Sequence, residues 1–106
     1  MRADREDWPF VHSPPQTETL STRQVVHENR WIAFVSHDED GTWQLIHRLA
    51  DDEGLDSADA VFISLGKAFE IDPSLAIVAD LPPGWSAERP APDGAWRRYQ
   101  TPAEPD

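Results

Sequence analysis

The sequence predicts a single α+β domain, with an antiparallel-rich sheet of four to five strands and two short helices. Three observations predict it. Residues 31–48 hold two alternating apolar segments around an Asp-Glu-Asp-Gly turn. Residues 61–85, VFISLGKAFEIDPSLAIVADLPPGW, read as a strand feeding two short helices and a proline stop. A length of 106 residues fits one domain, and such a chain buries roughly two-thirds of its unfolded surface.

Residues 1–20 read as a proline-rich arm, 21–101 as the folded domain and 102–106 as a polar tail. In the arm, Trp8-Pro9-Phe10-Val11 is an apolar clip ahead of Ser13-Pro14-Pro15-Gln16. Leaving an aromatic pair in water is unfavourable, so the clip is expected to dock on its own domain. Thr22–Asn29 has mixed alternation and fits a strand or a short helix. Trp31–His37 is a strand apolar on both faces, hence an inner one. Asp38-Glu39-Asp40-Gly41 turns the chain, with Gly41 free to take positive φ. Thr42–Arg48 returns as the second strand.

Leu49–Ala60 is an acidic loop. Ala60–Ser64 is a short β-branched run between turn signals and reads as a buried strand. Ser64 caps a helix over Leu65–Glu70 that buries Leu65, Ala68 and Phe69. Asp72-Pro73 starts a second helix, with Asp72 as cap and Pro73 in the first helical position. Its apolar face is Leu75, Val78 and Ala79, with Ile77 and Leu81 as a second stripe. Pro82-Pro83 stops it, Gly84 turns, and Trp85 covers the end. Ser86–Arg89 has strand character, Pro90–Gly94 is a hairpin-like loop, and Ala95–Gln100 is an edge strand, open to pairing with a second copy.

Composition narrows the function classes. The net charge is −11, from 20 acids against nine Lys and Arg. Such a surface repels nucleic-acid phosphate and anionic membranes, and attracts a basic protein. Without cysteine there is no disulfide, thiolate zinc site or cysteine nucleophile. The charged start, Met1–Asp7, has no apolar core behind it and is not a signal peptide. A cytoplasmic protein is expected.

Several constellations carry possible chemistry. His37, Asp38 and Asp40, with His47 facing His37 across the hairpin, form a minimal metal or small-ligand set. The loop is too short for an EF-hand, and an acidic turn of this length is ordinarily just a turn. Ser36-His37-Asp38 is no triad, because neighbouring strand residues point to opposite faces. Trp31, Trp43, Trp85 and Trp96 are expected in the core, Trp43 and Trp96 half exposed as binding anchors. Arg89, Arg97 and Arg98 are expected to pair with the chain's own acids.

One resemblance adds to this. It is carried by Val35-Ser36-His37-Asp38-Glu39-Asp40-Gly41-Thr42-Trp43-Gln44, by Ser64-Leu65-Gly66, by Asp72-Pro73-Ser74-Leu75, and by Ala79–Arg89 with its Leu-Pro-Pro-Gly-Trp. Over residues 21–98 the chain resembles a small bacterial family similar to the immunity protein 33 domain (domain of unknown function 2185). The resemblance implies a non-enzymatic protein that binds and neutralises a toxin. It supplies no catalytic residues and no cofactor. The proline-rich arm at 1–20 and the long acidic loop at 51–59 lie outside its pattern. The resulting expectation is a monomer or weak homodimer that meets a basic, toxin-like protein. The expected contact surface is Asp38, Glu39, Asp40, Trp43, Asp51, Asp52, Glu53, Asp56 and Asp59. The alternative is a metal- or small-ligand-binding domain using the His37–Asp40 turn and His47.

Overall fold

The Asp38–Gly41 hairpin lies at the centre of the sheet. The computed structural model describes residues 8–11, 13–47 and 57–101. In chain order these give β1 (Glu18–Thr22), α1 (Arg23–His27), β2 (Phe34–His37), β3 (Trp43–Ile46), β4 (Ala60–Ser64), α2 (Leu65–Ile71), β5 (Trp85–Glu88) and β6 (Arg97–Gln100). Two 3-10 helices, Ser57–Asp59 and Pro73–Val78, precede β4 and follow α2.

The strands form one six-stranded sheet in the order β4-β1-β3-β2-β5-β6. Four pairings are antiparallel; β1 and β3 run parallel. The α+β class and the antiparallel bias hold, and the strand count is six rather than four to five. The added strand is β1, whose first residues fall within the expected arm at 1–20. It escapes a hydrophobic reading because its buried side chains are hydroxyls. Thr19, Ser21 and Thr22 are all fully buried. Thr19 Oγ1 donates to Ile63 O at 2.9 Å and Ser21 Oγ to Leu45 O at 2.6 Å, while Thr22 Oγ1 shares a 3.1 Å hydrogen bond with His47 Nδ1. Each bond removes the penalty of a buried hydroxyl, worth about 1 kcal/mol net. Past Thr22 the chain turns helical, which decides between the two readings of that segment.

Register places Val35 beside Leu45 and Ala87, and His37 beside Trp43 and Trp85. This face meets Leu65 and Ala68 of α2 and Leu75 and Val78 of the second 3-10 helix in one core. The two expected caps are present. Ser64 Oγ accepts from Lys67 N–H at 3.0 Å, and Asp72 Oδ1 from Ser74 N–H at 3.1 Å. The second helix is 3-10 rather than α. It buries Leu75 and Val78, whereas Ile77 is 61% exposed. The clip docks as expected: Phe10 joins the core and Trp8 packs against it.

Two strand readings change. Regular pairing in β2 begins at Phe34, not Trp31. The Ile32 carbonyl is taken by Arg89 Nε at 2.8 Å instead of by a neighbouring strand. β4 is an edge strand with alternate residues exposed, not a buried one. A short apolar run between turns does not distinguish an inner strand from an outer one.

Candidate functional site

The acidic turn is built from its own side chains. Asp38 N–H donates to Thr42 O at 2.8 Å, and Gly41 N–H to Asp38 O at 2.9 Å. Gly41 sits at φ 95°, a conformation glycine adopts without a Cβ clash. Asp38 Oδ1 accepts from Ser36 Oγ at 2.7 Å and Oδ2 from Gln44 Nε2 at 2.9 Å. Its carboxylate therefore faces the sheet and braces the two strands. Asp40 Oδ1 accepts from Thr42 N–H at 3.0 Å. That backbone bond holds the Asp40 carboxyl below the usual carboxylate range.

β5 supports the turn from the other side. Gly84 N–H donates to His37 O at 2.6 Å, and Gly84 lies at φ 88°. A Cβ on Gly84 would stand 3.4 Å from Glu39 Cγ, so the Glu39 stem lies over that glycine. Glu39 and Asp40 are the exposed carboxylates of the turn.

The rest of the expected surface divides three ways. Asp51, Asp52, Glu53 and Asp56 lie outside the described residues. Asp59 turns inward to α1: Oδ1 accepts from Arg23 Nε at 2.8 Å and Oδ2 from Gln24 Nε2 at 3.0 Å. The Gln24 hydrogen bond, then Arg23, hold its carboxyl below the usual range. Trp43 is a correction. It is fully buried, with Nε1 donating to Ser13 Oγ at 3.0 Å. His37 stacks on it at 4.0 Å between centroids, and Phe10 meets it edge-on at 5.3 Å. Its side chain faces the helices, so it is core and no anchor. Trp96 is partly buried against the same core.

The histidines do not converge. His37 pairs with Trp43, and His47 lies beyond the far end of β3. His37 is buried, and its Nδ1–H donates to Leu81 O at 2.8 Å. Among the described residues no three His, Asp or Glu stand close enough to hold a metal ion.

The basic residues pair with acids as expected. Arg97 meets Glu88 at 3.2 Å and Arg98 meets Asp80 at 2.7 Å. Arg89 does more than that. It is buried and spans Ile32 O, Ser74 Oγ (3.0 Å), Pro92 O (2.9 Å) and Asp72 Oδ2 (2.7 Å). Its guanidinium carbon lies 4.4 Å from the Trp96 ring centroid and 5.9 Å from that of Trp31. Asp72 thus caps a helix with one oxygen and holds Arg89 with the other. Nothing in the sequence separates this arginine from Arg97 and Arg98.

Beside Arg89 lies a cavity of about 230 Å³, with Asn29, Arg30, Trp31 and Pro92 in its lining. Among the described residues Asn29 is the non-glycine residue with positive φ, at 59°. Four of the five Arg89 N–H groups are already used by the chain itself. The cavity is also smaller than the 300–1,000 Å³ of ordinary ligand pockets. It is the space left under a structural anchor.

The chain matches no protein-family model, no curated protein and no solved structure. Among the described residues no helix is long and apolar enough to cross a membrane.

Proposed function

We propose that this chain is a non-enzymatic acidic binding protein. It docks a basic protein partner through the Asp38–Gly41 turn, in the manner of an immunity protein neutralising a toxin. The observation that carries this reading is the braced, acidic tip of the turn. Glu39 and Asp40 are exposed on a backbone braced by Asp38 and by Gly84. A preset pair of charges steers a basic partner without an ordering cost on binding. The arginines Arg23, Arg89, Arg97 and Arg98 are each spent on acids of the same chain, which leaves the acid surplus to dominate the outer field. The resemblance to the immunity protein 33 family supports the same class of action. A cytoplasmic setting goes with it, given a chain without cysteine.

The test is a pull-down from native cell lysate with the wild-type chain and with a Glu39→Lys/Asp40→Lys variant, at low and raised salt. The expected result is a basic protein held by the wild type at low salt, released by salt and missed by the variant. The same proteins on both baits would sink the assignment. Both residues are exposed, and the variant gives up the Asp40 bond to Thr42 N–H, so it should stay folded with a modestly lower thermal midpoint.

A further inference from the structure

One side of β4 is fully paired and the other is open among the described residues. Its five residues Ala60–Ser64 match Thr22–Glu18 of β1 one for one. Leu65 N–H donates to Thr17 O at 2.7 Å, which fixes the alternation of the ladder. Ile63 and Val61 then bond to Thr19 and Ser21, and Ala60 and Phe62 turn their N–H and C=O groups outward together with the Ser64 N–H, while the Ser64 carbonyl opens α2. This outward row belongs to AVFIS, a segment rich in β-formers with no charge and no proline. Phe62 is 62% exposed at its centre, beside half-buried Leu20 on the same face. Natural edges usually carry a lysine, a proline or a bulge to stop pairing, and β4 has none of these.

We infer that β4 pairs antiparallel with β4 of a second copy, about a twofold axis at Phe62. The strand is self-complementary in that register. Phe62 meets its counterpart, and Ala60 lies opposite Ser64, small against small. The strand carries no charge, so this seam is where the repulsion between two acidic copies is least. On a chain of net charge −11, two copies close most easily along a seam that places no like charges opposite each other. A basic partner is drawn instead to the acids. Five paired residues span about 17 Å, less than a stable interface requires, so the dimer exchanges with monomer as concentration changes. Salt screens the repulsion between the copies and tightens the dimer, the reverse of its effect on a basic partner.

The test is sedimentation of the full chain from micromolar to millimolar concentration, at low and raised salt. The mean mass should climb toward twice the monomer, sooner at raised salt. Phe62→Lys should weaken association by about tenfold or more, since it sets two like charges across the axis. Phe62→Thr keeps strand propensity without the ring, and should weaken it less. Circular dichroism shows whether each variant is folded. A wild type that stays monomeric throughout overturns the inference, as does a dimer untouched in a folded Phe62→Lys chain. A monomeric wild type that takes up an extended peptide on β4 also overturns it. The basic-partner reading uses the turn instead of this edge, so either can fail alone.

Discussion

β6 closes one side of the sheet with charge, and β4 closes the other with none. On the β5–β6 side, Arg97 and Tyr99 both reach Glu88, Arg98 reaches Asp80, and Arg89 ties the end of β5 to Asp72. On the β4–β1 side backbone pairing and the Thr19 hydroxyl join β1 to β4, and the Ser21 hydroxyl joins β1 to β3. The surface pairs at Arg97 and Arg98 contribute little, because water and entropy offset them. Their larger effect is to guard the edge. On that side the buried arginine, Arg89, is the one whose removal strands partners away from water.

The largest expected effect tests that directly. Arg89→Met removes a buried guanidinium and leaves Asp72 and two carbonyls without their donor. A loss of about 3–5 kcal/mol is expected in denaturant unfolding, as for other broken buried pairs. A loss below about 1 kcal/mol would break the comparison by placing Arg89 with the surface pairs. Ser21→Ala tests the other side. It deletes the buried hydroxyl that donates to Leu45 O, and should cost about 1 kcal/mol by the same measurement. Equal losses at the two sites would erase the difference between the edges.

The smallest effect comes from an ionic contact beside β4. Asp59, just ahead of β4, holds Arg23 and Gln24 of α1. Its folded carboxyl lies below its unfolded range, so its contribution is complete above the ordinary carboxylate pKa. That contribution fades as pH falls through the lower, folded value. Hydrogen exchange in α1 should quicken on acidification, and Asp59→Asn should flatten that response. An α1 whose exchange ignores both changes would show that Asp59 does not hold it.

Much of the fold was readable where one local signal decides the outcome. Gly41 announced the hairpin turn, and Ser64 and Asp72-Pro73 announced both helix starts. β1 was not readable, because its buried side chains are hydroxyls whose partners, Ile63 and Leu45, lie on other strands. The site was less readable still. An acid in a turn looks the same in sequence whether it faces water, as Glu39 and Asp40 do, or braces strands, as Asp38 does. Trp43 misled for a related reason. Alternation gave it a face, but only the docking of Phe10 and Ser13 revealed that this face is sealed.

That docking has a consequence for how the chain is made. Phe10 and Trp8 pack on Phe69, about sixty residues later in the chain, so the contact is non-local. At roughly 5–20 residues per second, the clip leaves the ribosome some 3–12 s before α2 does. Over that interval its two aromatic rings have no α2 to pack on. Slow codons between the clip and α2 lengthen the wait, and fast ones shorten it.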